Sequence, residues 1–362
     1  MGNVAVGLEV TGILNATPTG IGIYIKNLLI NLTKINDNVK LFYKITRIKQ
    51  LKYLTKYNNN NLRWHYKNIY NPFDEKIDIV HITDNTILNY RCVPKIFTIH
   101  DLAVFKNETQ IENYTSDKHK YKIAKNINTI LKNVDAVIAV SNTTKNDLLE
   151  FYKFPEDKIR VISLAPNELD NFNDVTKKEN NFNLKKKSYF LFVGDISVRK
   201  NIINLIKAYS LSNLSHDYHL VLAGSMGMGM ELIKKTILDL KLSSKVKILN
   251  YVPNNVLRSL YINSAGMVFP TYYEGFGIPI LEAMKCKIPI LIGNLGAAPE
   301  TAGGHGIKVS PFSVEEISEG IKSLLDTKDF QIEEAFNYAS KFTWEKNAIE
   351  TNKFYQEILA NY

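Results

Sequence analysis

The sequence predicts an α/β protein made of two Rossmann-like, doubly wound domains, and three observations carry that expectation. The chain has 362 residues, more than one ordinary hydrophobic core organises. Short β-type runs alternate with helical patterns through both halves, the pattern of a parallel sheet joined by crossover helices. Between the halves, residues 167–187 are dominated by Asn, Asp, Glu and Lys, with Phe172 and Phe182 the main exceptions. Such a stretch reads as an interdomain connection.

Taken in order, Asn3–Val10 reads as a strand and Ile21–Leu32 as an amphipathic helix. Strands follow at Asp78–Ile82, Lys95–Ile99 and Asp135–Val140. A helix is expected just after Ser141, with Ser141 itself, Asn142, Thr143 or Thr144 available as its cap and Asp147 in its first turn. Lys158–Ile162 closes a first domain of residues 1–166. The second, residues 188–341, opens with the strand Tyr189–Val193 and a helix from near Ile202. It continues through Tyr218–Ala223, Val246–Leu249, Met267–Phe269 and Ile288–Ile292. Residues 342–362 carry a last amphipathic helix.

Composition narrows the class. Hydrophobic residues make up 45% and charged residues 22%, as in a globular protein. No apolar run approaches the roughly 18 residues of a membrane span. The N-terminus lacks a basic region followed by an apolar core, so no secretory signal is expected. Cys92 and Cys286 stand far apart and read as buried free thiols in a reducing cytosol. The net charge is +9, and residues 1–166 hold 23 Lys and Arg against 15 Asp and Glu, a net +8. That asymmetry suits attraction to an anionic membrane surface or acceptor. It also suits a solvated lysine-rich surface, since Asn58–Asn61 shows the same compositional bias. No RNP-like string, zinc-finger spacing or basic-region heptad supports nucleic-acid binding.

The most informative stretch is Tyr273–Met284, YEGFGIPILEAM. Ala265–Pro270 before it reads as a buried strand. Gly275, Gly277 and Pro279 suit a turn into a helix start. Glu274 then falls in the turn and Glu282 about one helical turn inside, at the carboxyl edge of an open sheet where α/β proteins bind ligands. Backbone N–H groups at a helix start attract anions, and carboxylates beside them accept hydroxyl donors. A molecule with phosphates at one end and hydroxyls elsewhere fits: a nucleotide sugar.

Gly194–Asn201, GDISVRKN, places Arg199 and Lys200 in a loop after a strand, where two cations can neutralise a diphosphate. Thr17–Tyr24 carries Gly20 and Gly22 in what reads as a turn between strand and helix. Ile25 occupies the third small position of a dinucleotide fingerprint, which argues against NAD. Thr98–Ala103, TIHDLA, puts His100 and Asp101 just after a strand. No D-x-D triplet occurs, and no H-E-x-x-H or Cys/His cluster; His216 and His219 read as structure.

Together these strings resemble the E-x7-E signature of retaining GT-B glycosyltransferases of family 4, in particular bacterial mannosyltransferases. The resemblance implies two domains facing a cleft, with the last helix crossing back to the first domain. It implies that Glu274 holds donor-sugar hydroxyls and Glu282 the ribose, with the backbone of Phe276, Gly277 and Ile278 around the donor. Arg199 and Lys200 match the G-x-x-x-x-R-K-N segment and fall to the diphosphate. His100 falls to the reactive face of the sugar, Gly20 and Gly22 to the phosphates, and Val252 to the nucleobase. Gly224–Gly229 falls on the nucleotide side, and Glu300, in the loop Asn294–Thr301, to support of the domain face. The implied reaction moves a sugar from a nucleotide diphosphate donor to a glycan or lipid-linked acceptor, as in lipopolysaccharide or O-antigen assembly. No cofactor or metal is implied, and the place is cytoplasmic, peripheral on the inner membrane. A nucleotide-sugar 2-epimerase of the same fold and an inactive nucleotide-sugar-binding scaffold remain alternatives.

Overall fold

The computed structural model describes residues 4–14, 19–44, 46, 62–66, 69–70, 76–86, 92–106, 117–167, 169 and 184–362. The Asn58–Asn61 run, Thr17 and most of the expected connection, including Phe172 and Phe182, lie outside the described residues. The chain divides into two compact units, one holding Met1–Lys106, Ser116–Ala165 and Phe342–Tyr362, the other Pro166–Lys341.

The first unit is built on eight strands: β1 (Val6–Glu9), β2 (Val39–Lys44), β3 (Leu62–Tyr66), β4 (Ile69–Tyr70), β5 (Ile79–Ile82), β6 (Lys95–Ile99), β7 (Ala136–Ala139) and β8 (Ile159–Val161). Their order is β4-β3-β2-β1-β5-β6-β7-β8, and every pair but β3–β4 is parallel. β1, β5 and β7 are buried at every position, as a sheet covered on both faces requires. The sheet runs outward in both directions from β1, so its switch point lies between β1 and β5.

Two local expectations are corrected here. Gly20 and Gly22 lie inside the helix Gly20–Ile35, not in a turn before it. Thr19 is the cap, and its hydroxyl accepts the Gly22 N–H at 3.1 Å, so the helix starts at Gly20, one residue before the expected Ile21. Of the caps the sequence offers, the helix Asn142–Tyr152 takes Ser141, whose Oγ accepts the Thr144 N–H at 3.0 Å. Asp147 lies beyond its first turn and pairs with Lys106 at 2.6 Å.

The final helix, Trp344–Ala360, is capped by Thr343 and packs against Gly20–Ile35 within the first unit. Trp344 lies 6.2 Å from the Tyr24 ring. Tyr355 Oη is 2.6 Å from His81 Nδ1, His81 Nε2 is 2.7 Å from Thr98 Oγ1, and Thr98 Oγ1 is 3.0 Å from Tyr24 Oη. Burial pushes the His81 imidazole down to about 3, so this chain of hydrogen bonds runs through neutral groups.

The second unit has six strands, all parallel: β9 (Tyr189–Val193), β10 (His219–Ala223), β11 (Val246–Leu249), β12 (Gly266–Phe269), β13 (Ile290–Gly293) and β14 (Ile307–Val309). Their order is β11-β10-β9-β12-β13-β14, so the direction of winding reverses between β9 and β12. Among the described residues no helix is long and apolar enough to cross a membrane. The thiols depart from expectation. Cys92 is exposed and Cys286 half-buried, because Cys92 sits in a turn with a left-handed φ of 64° outside the core.

Candidate active site

At a switch point the loops leaving two adjacent strands turn to opposite faces and open a crevice at the carboxyl edge. In the second unit those strands are β9 and β12, and the loops after them carry Arg199–Lys200 and Glu274. The structure brings Lys200 and Glu274 together. The Lys200 ammonium donates to Glu274 Oε1 at 2.5 Å, with both side chains only 10% exposed. An ion pair held this far from water is strongly coupled.

Several contacts fix the pair. Residues 198–200 form a tight 3-10 turn, and Asn201 ends it in a left-handed conformation at φ 61°. The Asn201 amide donates to the carbonyls of Pro270 at 2.8 Å and Pro311 at 2.6 Å, tying the turn to the end of β12. The Gly224–Gly229 loop adds backbone bonds from below: Ile196 N–H to Ser225, Gly227 N–H to Ile196 and Val198 N–H to Met228. Glu274 is held from the other side, where Ala297 N–H donates to its carbonyl at 2.9 Å. Gly296 makes that approach possible, since a Cβ there would fall 2.8 Å from Glu274 N. Ser197 Oγ, Asn201 Oδ1 and Thr271 Oγ1 are buried here without a hydrogen-bond partner in the protein.

The helix Ile278–Lys285 begins directly after this turn. Gly277 precedes it at φ 96°, a left-handed value that a side chain rarely adopts, and Pro279 occupies the first turn. Phe276, Ile278 and Val252 are buried, and the Phe276 carbonyl accepts the Thr301 hydroxyl at 2.5 Å. Glu282 lies one turn along, 4% exposed, and accepts the Tyr261 hydroxyl at 2.9 Å. Burial raises its carboxyl to about 7, against the lowering effect of Tyr261 and the Asn167 backbone. Glu300 bonds through its carbonyl to Gly303 N–H and Tyr338 Oη, a supporting position on the fold.

The first unit places its residues on a different kind of edge. His100 follows β6, and its Nε2 is 2.9 Å from the Thr83 carbonyl. A carbonyl only accepts, so Nε2 carries the proton and Nδ1 is the nitrogen able to accept. The Tyr24 ring stands edge-on to the imidazole, with centroids 4.9 Å apart. Burial holds the His100 pKa below the ordinary histidine value. Asp101 is exposed, and its Oδ1 accepts the Ala103 N–H at 3.2 Å ahead of the short turn Ala103–Phe105.

Sequence reasoning missed Asn201, Tyr261, Glu9 and Thr83. Asn201 was legible as part of the R-K-N string, without any hint of its left-handed backbone. Glu9 gave a signal too, as the single charge closing an apolar strand.

Comparisons with known proteins bear on the family and the fold. Residues 19–165 match the model described as Glycosyltransferase Family 4, and residues 174–341 that of Glycosyl transferases group 1. An O-antigen chain mannosyltransferase B from Escherichia coli is 29% identical over 290 residues, covering 77% of this chain and 74% of the relative. An O-antigen chain mannosyltransferase from Salmonella typhimurium is 29% identical over 215 residues, 59% of this chain and 58% of that one. Among solved structures, the Anabaena protein HepE in complex with UDP and glucose superposes with a TM-score of 0.72 at 15% identity, over 97% of this chain and 99% of that one. Two glycosyltransferase domain models in tandem, each on a doubly wound sheet, make this chain a member of the GT-B glycosyltransferases.

Proposed function

We propose that this glycosyltransferase moves a sugar, mannose in the first instance, from a nucleotide diphosphate donor to a glycan or lipid-linked acceptor of a cell-surface polysaccharide, with retention at the anomeric carbon. One observation carries the reading: the buried Lys200–Glu274 pair, beside Arg199, at the switch point between β9 and β12. A diphosphate needs positive charge and a sugar needs an acceptor for its hydroxyls, and here the two are adjacent. Mannose and the O-antigen type of acceptor are favoured by the two relatives described above.

In this reading Glu274 accepts from the donor sugar and Glu282 from the ribose. Val252 lies at the base, and the amides of Gly277 and Ile278 face the phosphates. As the bond from the anomeric carbon to the diphosphate breaks, charge accumulates on the leaving phosphate oxygens. Arg199 and Lys200 stabilise that charge more in the transition state than in the ground state. The acceptor oxygen bonds to the same face of the anomeric carbon, and its proton passes to the departing phosphate oxygen. His100 accepts a sugar hydroxyl at Nδ1, and Gly20 and Gly22 allow close approach to the donor phosphates. No metal is assigned, because the two cations and the helix start supply the charge. Docking of the lysine-rich first unit on an anionic membrane surface belongs to the same proposal.

The test is an assay of purified protein with GDP-, UDP- and ADP-sugars and a lipid-linked acceptor. Release of nucleoside diphosphate with an α-linked product from an α-linked donor supports the reading. A donor inverted at C2 would point to an epimerase, and binding without turnover to a scaffold.

A further inference from the structure

Glu9 closes β1, is wholly buried and has no part in the reaction above. Its Oε1 accepts the Thr11 N–H at 3.0 Å. The Thr83 hydroxyl lies 2.6 Å from the Glu9 main-chain carbonyl and 3.2 Å from Glu9 Oε2. A hydroxyl has one proton to give. The shorter contact, to a carbonyl that can only accept, takes that proton. The contact to Oε2 is then completed when the carboxyl itself is protonated and donates to Thr83 Oγ1. Thr83 in turn offers its own carbonyl to His100 Nε2.

We infer that Glu9 is a positioning residue for His100, acting through Thr83 and most effective in its neutral form. The inference rests on the reading of His100 given above. Glu9 has no exposed atom, so it touches no substrate. What it does is hold the end of β5, and with it the acceptor that fixes the imidazole tautomer. The electrostatics agree with the geometry. Burial raises the Glu9 carboxyl to about 7; Asp84, after β5, adds to that, while Lys44, at the end of β2, and the Thr11 contacts oppose it. His81 and His100, on β5 and after β6, are both held toward their neutral forms.

Four substitutions test this, each compared with wild type by kcat, donor KM and melting temperature. Glu9→Ala and Thr83→Val are expected to lower kcat about tenfold each, the size of one lost hydrogen bond, with a smaller change in donor KM. Combined, they lower it little further. Glu9→Gln keeps the shape and a permanent donor toward Thr83, so it rescues the Ala loss at pH 6 and removes the part of the kcat decline above pH 7 that Glu9 causes. On a His100→Ala background, Glu9→Ala has no further effect. The inference is overturned if Glu9→Gln follows the wild-type pH profile, or if Glu9→Ala costs as much with His100 removed as with it present. Wild-type kcat in His100→Ala alone would instead overturn the role given to His100. Where Glu9→Ala does not fold, Glu9→Gln and Thr83→Val carry the test.

Discussion

The carboxyl edges of the two sheets share a winding pattern and differ in charge. In the second unit the crevice between β9 and β12 holds a buried cation against a buried carboxylate, Lys200 on Glu274, with Arg199 next to it. In the first unit the corresponding edge holds buried groups kept toward neutrality, Glu9 raised to about 7, His81 lowered to about 3 and His100 lowered by burial, with Asp84 and Asp101 beside them. The same fold thus presents two chemistries. A charged edge suits a diphosphate whose charge grows as it leaves, and a neutral, proton-counted edge suits fixed hydrogen bonds to a sugar.

Removing one member of the charged pair should have the largest effect. Glu274→Ala takes the carboxylate away from the buried Lys200 ammonium, which costs about 3–5 kcal/mol of stability, read by denaturant unfolding, and abolishes transfer. Lys200→Met combined with Glu274→Gln should regain most of the stability and none of the activity. Equal recovery of both would remove the pair from the chemistry. Arg199→Ala should lower kcat about 10²–10³-fold with a smaller loss of donor affinity. Parallel losses in both would assign Arg199 to ground-state binding alone.

The two carboxyls held toward neutrality, Glu9 in the first unit and Glu282 in the second, make a different prediction. Glu9 and Glu282 both titrate near 7 when folded and 4.5 otherwise. Each binds its proton more tightly in the native state, so its stabilising contribution is complete below pH 4.5 and is lost as pH rises through 7. The loss is on the order of 3 kcal/mol per group as an upper figure. Melting temperature should therefore fall across that window, and Glu9→Gln and Glu282→Gln should each flatten the fall. Asn201→Ala, which removes the donor to the Pro270 carbonyl and leaves Pro311 only its longer bond from Asn204, should cost about 1–3 kcal/mol and reduce kcat, because the Lys200 turn loosens. The smallest expected effect is none: chelation with EDTA should leave the transfer rate unchanged, and a rate restored only by added metal would contradict the charge assignment.

Much of the second unit was legible in the sequence. The run Tyr189–Val193 gives β9 without correction, and the Y-E-G-F-G-I-P string gives a left-handed glycine, a proline and a helix start in the expected order. Periodicity and turn chemistry are local, and these elements are local. The Lys200–Glu274 contact is not, since 74 positions separate its members. Only the β9–β12 adjacency creates it. The first unit was harder to read for the same reason. Val39–Lys44 was missed because its buried run is short and lysine interrupts it, and the Gly20 helix start was misplaced because the Thr19 cap outweighs glycine's poor helix propensity. Glu9 is the clearest case. Nothing in V-G-L-E tells that its carboxyl will meet a threonine from β5, and only the parallel register of β1 on β5 reveals it.

A crystal structure with a bound nucleotide diphosphate sugar tests the central claim most directly. The diphosphate is expected within hydrogen-bond reach of Arg199 and Lys200, with sugar hydroxyls on Glu274 and the ribose on Glu282. A donor lodged away from the edge between β9 and β12, with the Lys200–Glu274 pair undisturbed, would contradict it.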